Sequence, residues 1–307
     1  MSISGKIIAS IFFIVVFISS FGATCAKSQY YQSLASSEYQ IQFEAIYSKI
    51  EWDDGDDQRD YGAEFLINFM PVNVGGHPLY EAAFLERVGH ISLDVGHAHI
   101  KLSSSTELDG PFYGIYVDYM SPDNPLVWKA NIFNADYEYN LPIDAKWSKD
   151  VIGAGLGLFL KDGLLITFEY SRKETDLSIS GLPNDESRTN LYTVSGKSVT
   201  EFGNDKAVNI EVGIDIEEFE EEFVSETNTI INVEGDYYLN SRTSLGGLIA
   251  KNTGDDKSDE NTTFGIRLIS FLTPDFYFRV DFERAFFNDN YSYNDSKRIF
   301  MNAGMRF

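Results

Sequence analysis

Two histidines with alternate spacing are the strongest candidates in this sequence for metal or catalytic chemistry. His97 and His99 share one face of an extended segment, where two imidazoles can bind a transition metal. A third ligand is not evident, because alternation puts the nearby carboxylate of Asp94 on the opposite face. The sequence also has no nucleophile elbow, no glycine-rich phosphate loop and no Cys–His pair. We therefore predict no enzyme, no metal site and no cofactor.

The composition excludes several further classes of protein. The 307 residues include 24 Lys and Arg against 47 Asp and Glu, which gives a formal net charge of −23. Nucleic-acid binding needs clustered cations, so we expect no nucleic-acid partner. One cysteine excludes a disulfide framework and a zinc finger. An aromatic content of 15 % indicates a folded chain.

The first residues have the pattern of an export signal. Lys6 precedes an apolar run from Ile7 to Phe21, and small residues follow up to Ala26. This predicts a signal peptide over residues 1–26, cleaved after Ala26, and a single mature domain over residues 27–307. A transmembrane anchor and a lipoprotein modified at Cys25 are the alternatives. The run is short for an anchor, and the residues before Cys25 fit a lipoprotein signal poorly.

Beyond the signal peptide, the chain alternates between apolar and polar residues. The clearest example is Val208, Ile210, Val212, Ile214 and Ile216, interleaved with polar or small residues. Successive strand residues point to opposite faces, so such segments have one apolar and one polar face. The whole pattern predicts an all-β protein of about 14 strands, with 12 to 16 compatible. Residues 190–200, 243–251 and 262–271 are the weaker strands.

The connections between the predicted strands alternate in length. Short ones such as Lys161-Asp162-Gly163 have the residues of tight turns, whereas the other side has longer, acidic connections such as Lys173 to Thr189. Short turns at one end and long loops at the other are typical of a bacterial outer-membrane barrel. One connection breaks this rule, because Pro71 to Arg87 stands in the place of a short turn. It could form helical turns that plug or brace the mouth of the barrel, or be an unusual turn without function.

Alternation alone fits both a soluble β-sandwich and a membrane barrel, which differ in where the apolar faces point. Three observations favour apolar faces toward lipid: an even strand count, a final strand ending at Phe307, and aromatic residues near strand ends. The prediction is a transmembrane, antiparallel, up-and-down β-barrel. The aromatic residues expected at the membrane surface are Tyr39, Trp52, Tyr61, Tyr119, Trp128 and Tyr137.

Two segments resemble outer-membrane barrels. Pro78-Leu79-Tyr80-Glu81-Ala82-Ala83-Phe84-Leu85 resembles a segment of the general bacterial porins of Gram-negative outer membranes. The ending Gly304-Met305-Arg306-Phe307 is similar to the C-terminal signature whose last aromatic, here Phe307, is read by the barrel-assembly machinery. The resemblance implies a diffusion pore in that membrane. General porins usually fold a long loop into the lumen, but no connection here exceeds about seventeen residues.

The charged residues of the polar faces would line the lumen. In hydrocarbon, Arg or Lys costs roughly 2–4 kcal/mol at mid-depth, so these residues are expected inside. Acids dominate strands one to four and nine to ten, whereas most of the bases lie on the last three strands. The predicted pore-lining residues are Glu44, Glu64, Asp94, Asp118, Glu169, Glu211, Asp215, Glu234, Asp236, Asp281 and Glu283 among the acids, and Lys129, Arg267, Arg279, Arg298 and Arg306 among the bases.

The acid excess leads to a functional hypothesis. We expect a water-filled channel for diffusion of small hydrophilic solutes and ions, with cation preference. The charges could also be solvated without selective role. The sequence leaves two further classes of protein open, a closed structural or surface-recognition barrel and a soluble periplasmic binding protein.

Acidic stretches in the outer loops lack the spacing of an EF-hand, and solvated charge is the ordinary interpretation. Divalent ions bridging these stretches to lipopolysaccharide are the alternative. The expected partners are therefore outer-membrane lipid and lipopolysaccharide, the assembly machinery and small solutes, and a homo-oligomer is compatible with the sequence. The stretches are Asp53 to Asp57, Glu217 to Glu222 and Asp255 to Glu260.

Overall fold

The residues that the structure describes form fourteen strands and one short helical insertion. The computed structural model describes residues 38–75, 77–101, 106–139, 145–179, 185–202, 206–221, 224–254, 260–287 and 295–307. The predicted signal peptide and most of the acidic stretch 255–260 lie outside these residues. The strands are β1 (Glu38–Trp52), β2 (Asp57–Asn73), β3 (His90–Lys101), β4 (Glu107–Ser121), β5 (Asn124–Tyr139), β6 (Ala145–Lys161), β7 (Leu164–Ile179), β8 (Asp185–Phe202), β9 (Lys206–Glu221), β10 (Val224–Asn240), β11 (Thr243–Gly254), β12 (Asn261–Thr273), β13 (Phe276–Phe287) and β14 (Ser296–Arg306).

Each strand pairs antiparallel with its neighbours in sequence, and β1 pairs with β14 to close the barrel. The closing register sets Phe43 opposite Met305 and Ala45 opposite Ala303. The backbone N–H of Phe307 donates to Ile41, and the N–H of Gln40 donates to Phe307. The last residue, Phe307, therefore takes part in the pairing of β1 with β14 that closes the barrel. The predicted fourteen-stranded barrel is confirmed.

The apolar faces point outward and the charged faces point inward. Ile132, Ile152 and Ile266 are 58, 61 and 68 % exposed, whereas Asp236, Asp281 and Arg306 are 3–4 % exposed. A soluble protein would bury the first group and expose the second. Membrane barrels have this arrangement, with an exposed apolar band against the hydrocarbon and a polar or charged interior.

The two ends of the barrel differ. At one end, here named the turn end, two-residue turns such as Asp162-Gly163 join the strands. At the other, the loop end, the strands continue into most of the segments that the sequence predicted as loops. For example, β7 extends to Ile179 and β8 begins at Asp185, inside the predicted loop from Lys173 to Thr189. Residues of alternating polarity beyond the apolar band still pair in register, which is why long strands replace long loops.

Two predicted surface aromatics, Tyr39 and Tyr137, face inward. The register between β1 and β2 shifts between Tyr39 and Ile41. This bulge turns Tyr39 into the barrel, where it lies under the Arg306 guanidinium at 4.3 Å and is buried. Tyr137 also faces inward and stacks on Trp147, with ring centroids 4.7 Å apart. Trp128 and Tyr119 do lie on the outer surface.

The β2–β3 connection, residues 74–89, contains the only helical residues in the part of the chain that the structure describes. A 3₁₀ turn, Leu79–Glu81, leads into a one-turn helix α1, Ala82–Leu85. The predicted helical turns are thus present. No described helix is long and apolar enough to cross a membrane.

Candidate functional site

The lumen is the candidate site, because the predicted charged residues lie on the inner faces of their strands. Alternation places each of them on the face opposite to the exposed apolar side chains. Several are then brought together across neighbouring strands. They form an acidic row, a cluster around two arginines and the wall of a cavity.

Three carboxylates form the acidic row, which we define as Glu44, Glu64 and Asp94. The strand register sets Glu44 opposite Glu64, and Glu64 opposite Asp94. No Lys or Arg of the described chain forms an ion pair with any of the three. None of these three carboxylates is therefore held in a direct ion pair within the described residues.

Neutral donors hold Glu44 in place. The side-chain amides of Gln42 and Asn302 each donate to it at 2.5 Å, and the Tyr277 hydroxyl donates as well. The Tyr277 ring lies flat against Gly304, where a side chain would collide with it. A glycine at this position of β14 thus allows the tyrosine to reach the carboxylate.

Two bases of the last strands, Arg267 and Arg279, are held by carboxylates. Arg267 donates to Glu234 at 2.7 Å and to Asp236 and Asp281 at 3.3 Å. Arg279 binds the same Asp281 at 2.5 Å. Charge-assisted bonds of this kind neutralise both guanidinium groups, whereas Arg306 of β14 donates to the neutral acceptors Gln42 and the Leu79 carbonyl.

A cavity of about 470 Å³ lies along the inner faces of β2 to β8. Lys129 lines it and pairs with Glu169 at 2.8 Å and with Asp118 at 3.8 Å. Glu64 and Asp94 of the acidic row also line it. The cavity therefore contains four carboxylates and one lysine, together with His90 and neutral polar side chains.

Residues 74–89, here named the plug segment, fold into the turn end of the barrel. Glu81 is 2 % exposed and pairs with Lys197 of β8 at 2.8 Å. The Tyr238 hydroxyl of β10 donates to Glu81 at 2.9 Å. Arg306 of β14 donates to the Leu79 carbonyl at 2.8 Å. These contacts reach strands on separate sides of the barrel.

Apolar packing holds the plug segment at two places. Leu79 and Ala82 pack into a buried cluster with Val72, Ile269 and Tyr277. On the other side, Phe84 packs against Phe159 of β6, with ring centroids 5.5 Å apart. The segment therefore spans the turn end of the barrel.

Charged side chains near both ends of the plug segment contact the barrel or one another. The His77 imidazole contacts Glu201 of β8 at 2.8 Å and Glu86 of its own segment at 2.9 Å. Burial lowers the pKa of His77, but its hydrogen bonds to the two carboxylates outweigh this effect and raise the pKa above its ordinary value. Arg87 reaches the exposed Asp162 at 2.7 Å.

Sequence reasoning missed Lys197 and Glu81. The alternation of residues 190–200 is weak, because polar residues occupy both faces of this strand, so Lys197 did not stand out. Glu81 belongs to no strand, and its position depends on the plug segment. Its place in the segment Pro78 to Leu85 was the one signal that pointed to it.

His97 and His99 lie on the outer face, as alternation predicts, and both approach Asp109. The distances to its Oδ1 are 3.4 and 2.8 Å. Over the described ranges, no group of three or more His, Cys, Asp or Glu is arranged to hold a metal ion.

Comparison with known proteins supports the fold. No family model matches the chain, and neither does any curated protein. The outer membrane protein Omp33 of Acinetobacter baumannii is similar over 88 % of this chain and 99 % of its own, with 19 % identity and a TM-score of 0.57. A FadL homologue of Pseudomonas aeruginosa is similar over 88 % of this chain and 90 % of its own, with 9 % identity and a TM-score of 0.50.

The fold and these similarities define the class. The chain is a fourteen-stranded β-barrel of the Gram-negative outer membrane. Short turns in such barrels face the periplasm, so the plug segment lies at the periplasmic end.

Proposed function

We propose that this barrel is a porin-type channel that passes small hydrophilic solutes and ions by diffusion and prefers cations. The observation that carries the proposal is the acidic row Glu44, Glu64 and Asp94, which faces the lumen without cationic partners in the described chain. Unpaired negative charge raises the local concentration of cations and repels anions. The bases Lys129, Arg267 and Arg279 are each held by carboxylates and do not offset it.

We further propose that the plug segment closes this channel, because its contacts span the turn end of the barrel. General porins narrow their lumen with a long loop, whereas here the β2–β3 connection enters from the periplasmic end. It contains Pro78 to Leu85, the segment that resembles general porins, and this resemblance supports a porin type. Passage then requires the plug segment to move.

Ion selectivity in planar bilayers tests the proposal. Under a KCl gradient, we expect a reversal potential of the sign for cation preference. The double variant Glu64→Gln, Asp94→Asn should move it toward zero, because two lumen charges are lost. Glu174→Gln is the matched control, since Glu174 pairs with Arg172 away from the lumen. A clear anion preference of the unmodified protein would refute the proposal.

The alternative is a structural barrel without channel activity, and the plug segment is the observation that favours it. A variant with residues 75–87 replaced by a two-residue turn separates the two. A channel should conduct more strongly without the plug segment. A structural barrel should remain non-conducting, although folded as judged by heat-dependent gel mobility.

A further inference from the structure

Toward the loop end, aromatic side chains replace charged ones on part of the inner wall of the barrel. On the loop-end halves of β4, β5 and β6, five aromatic residues face the lumen, and we name them the aromatic wall. Phe112 and Phe133 stack at 6.0 Å with an interplanar angle of 28°. Tyr137 and Trp147 stack at 4.7 Å and 30°. The aromatic wall consists of Phe112, Phe133, Tyr137, Tyr139 and Trp147, packed with Leu108, Ala98 and Ala135.

The aromatic wall leads directly into the acidic cavity. Phe133 and Asn131 lie two residues apart on one face of β5, about 7 Å along the strand. Asn131 lines the cavity, as does Tyr116, which shares the inner face of β4 with Phe112. A solute that enters from the loop end therefore meets aromatic faces first and carboxylates next.

The position of Lys149 indicates that the aromatic wall can bind a cationic group. Its ammonium lies over the Phe133 ring, 5.6 Å from the centroid. Aromatic faces attract cations through their quadrupole, most strongly where water is excluded. The chain thus places an ammonium group of its own on the ring nearest to the cavity.

We propose that the cavity and the aromatic wall form a binding site for small organic cations that carry an apolar group. The apolar group would contact Phe112 and Phe133, and the cationic head would lie among the carboxylates of the cavity. A volume of about 470 Å³ suits a small molecule. The four carboxylates Glu64, Asp94, Asp118 and Glu169 face one Lys129, so a monovalent cation is favoured over an anion. This inference rests on the proposed function, because it names the solute class of the same lumen.

Binding to the detergent-solubilised, full-length protein tests this inference without any need for the channel to open. Calorimetry with benzyltrimethylammonium should show binding about tenfold tighter than with benzyl alcohol or tetramethylammonium, which each lack one of the two features. Equal affinity for benzyl alcohol, or tighter binding of glucose, would overturn the assignment. Absence of any binding would overturn it as well.

Variants locate the site. Phe133→Leu should weaken binding of benzyltrimethylammonium about tenfold, whereas Phe286→Leu, on the outer face, should leave it unchanged. Lys149→Gln should tighten binding severalfold, because it frees the Phe133 ring, and this result does not depend on the folding of Phe133→Leu. Unchanged affinity in Lys149→Gln would contradict the site. The reversal potential is measured separately, so a cation-preferring channel that fails to bind benzyltrimethylammonium would refute only this inference.

Discussion

Glu81 of the plug segment and Lys197 of β8 form a buried ion pair, with Nζ and Oε2 2.8 Å apart. The Lys197 ammonium also lies 4.8 Å from the centroid of the Phe84 ring. Lys197 contacts Glu211 at 2.8 Å, so it joins the plug segment to the barrel wall. Removal of Lys197 would leave the buried Glu81 carboxylate without a cation, which typically costs about 3–5 kcal/mol, whereas removal of Glu81 leaves Lys197 paired with Glu211 alone. This pair is therefore the strongest single candidate for what keeps the plug segment in the lumen.

Glu81→Gln should release the plug segment and raise the conductance of the protein in planar bilayers. The Lys197 ammonium would lose a buried partner, and the Tyr238 hydroxyl would lose a charged acceptor. The matched control is Asp162→Asn, which removes the fully exposed partner of Arg87. An exposed pair contributes about 1 kcal/mol or less, so the control should behave as the unmodified protein. Equal conductance of the two variants would contradict the role of Glu81.

The plug segment should be held more firmly at acidic than at alkaline pH. Protonated His77 donates to both Glu86 and Glu201, whereas neutral imidazole donates only once. The pKa of His77 is raised above 6.5, so the stabilisation is complete below that pH and is lost as the pH rises through the raised pKa. Conductance should therefore increase with pH.

Substitutions separate this effect from other titrations. His77→Gln should remove most of the pH dependence of conductance, because Gln does not titrate in this range. His97→Gln, on the outer face, should retain it. A pH profile unaffected by His77→Gln would show that His77 does not control the plug segment.

An arginine introduced on the outer surface should lower the free energy of unfolding more, the deeper its position lies in the membrane. Ile266 is 68 % exposed and lies in the apolar band, so Ile266→Arg should cost about 2–4 kcal/mol of the free energy of unfolding from lipid vesicles. Thr262→Arg lies on the same face of β12, toward the loop end, and should cost about 1 kcal/mol or less. Urea titration in vesicles measures both. Equal costs would mean that Ile266 does not face hydrocarbon.

Gly304→Ala should destabilise the barrel by about 1–3 kcal/mol through overpacking. A Cβ at this position would lie 2.8 Å from the Tyr277 oxygen and closer still to its ring carbons. The tyrosine would then have to leave Glu44. Gly235→Ala is the control, because its Cβ would meet no atom closer than 3.4 Å. The same urea titration should show a loss for the first variant alone.

The sequence by itself determined the barrel and the division of its residues between two faces. Alternation is a local property with a period of two, so Val208 to Ile216 can be assigned to a strand without knowledge of its neighbours. Because hydrocarbon rejects charge, the same pattern also assigns Glu64 and Asp94 to the lumen side. The strand ends at the loop end were harder to predict, since polar residues there pair in register as strand rather than forming loops.

Only the tertiary structure decided which inward residues contact each other and how the plug segment packs inside the barrel. Glu81 and Tyr238 are 157 residues apart, and Leu79 and Arg306 are 227 apart. Such contacts belong to the closed barrel, in which the plug segment lies within reach of strands on several sides. The bulge that turns Tyr39 inward lies in the β1–β2 pairing, and no local sequence pattern marks it. Residue type and spacing specify a strand face, whereas partners across a lumen depend on closure of the whole barrel.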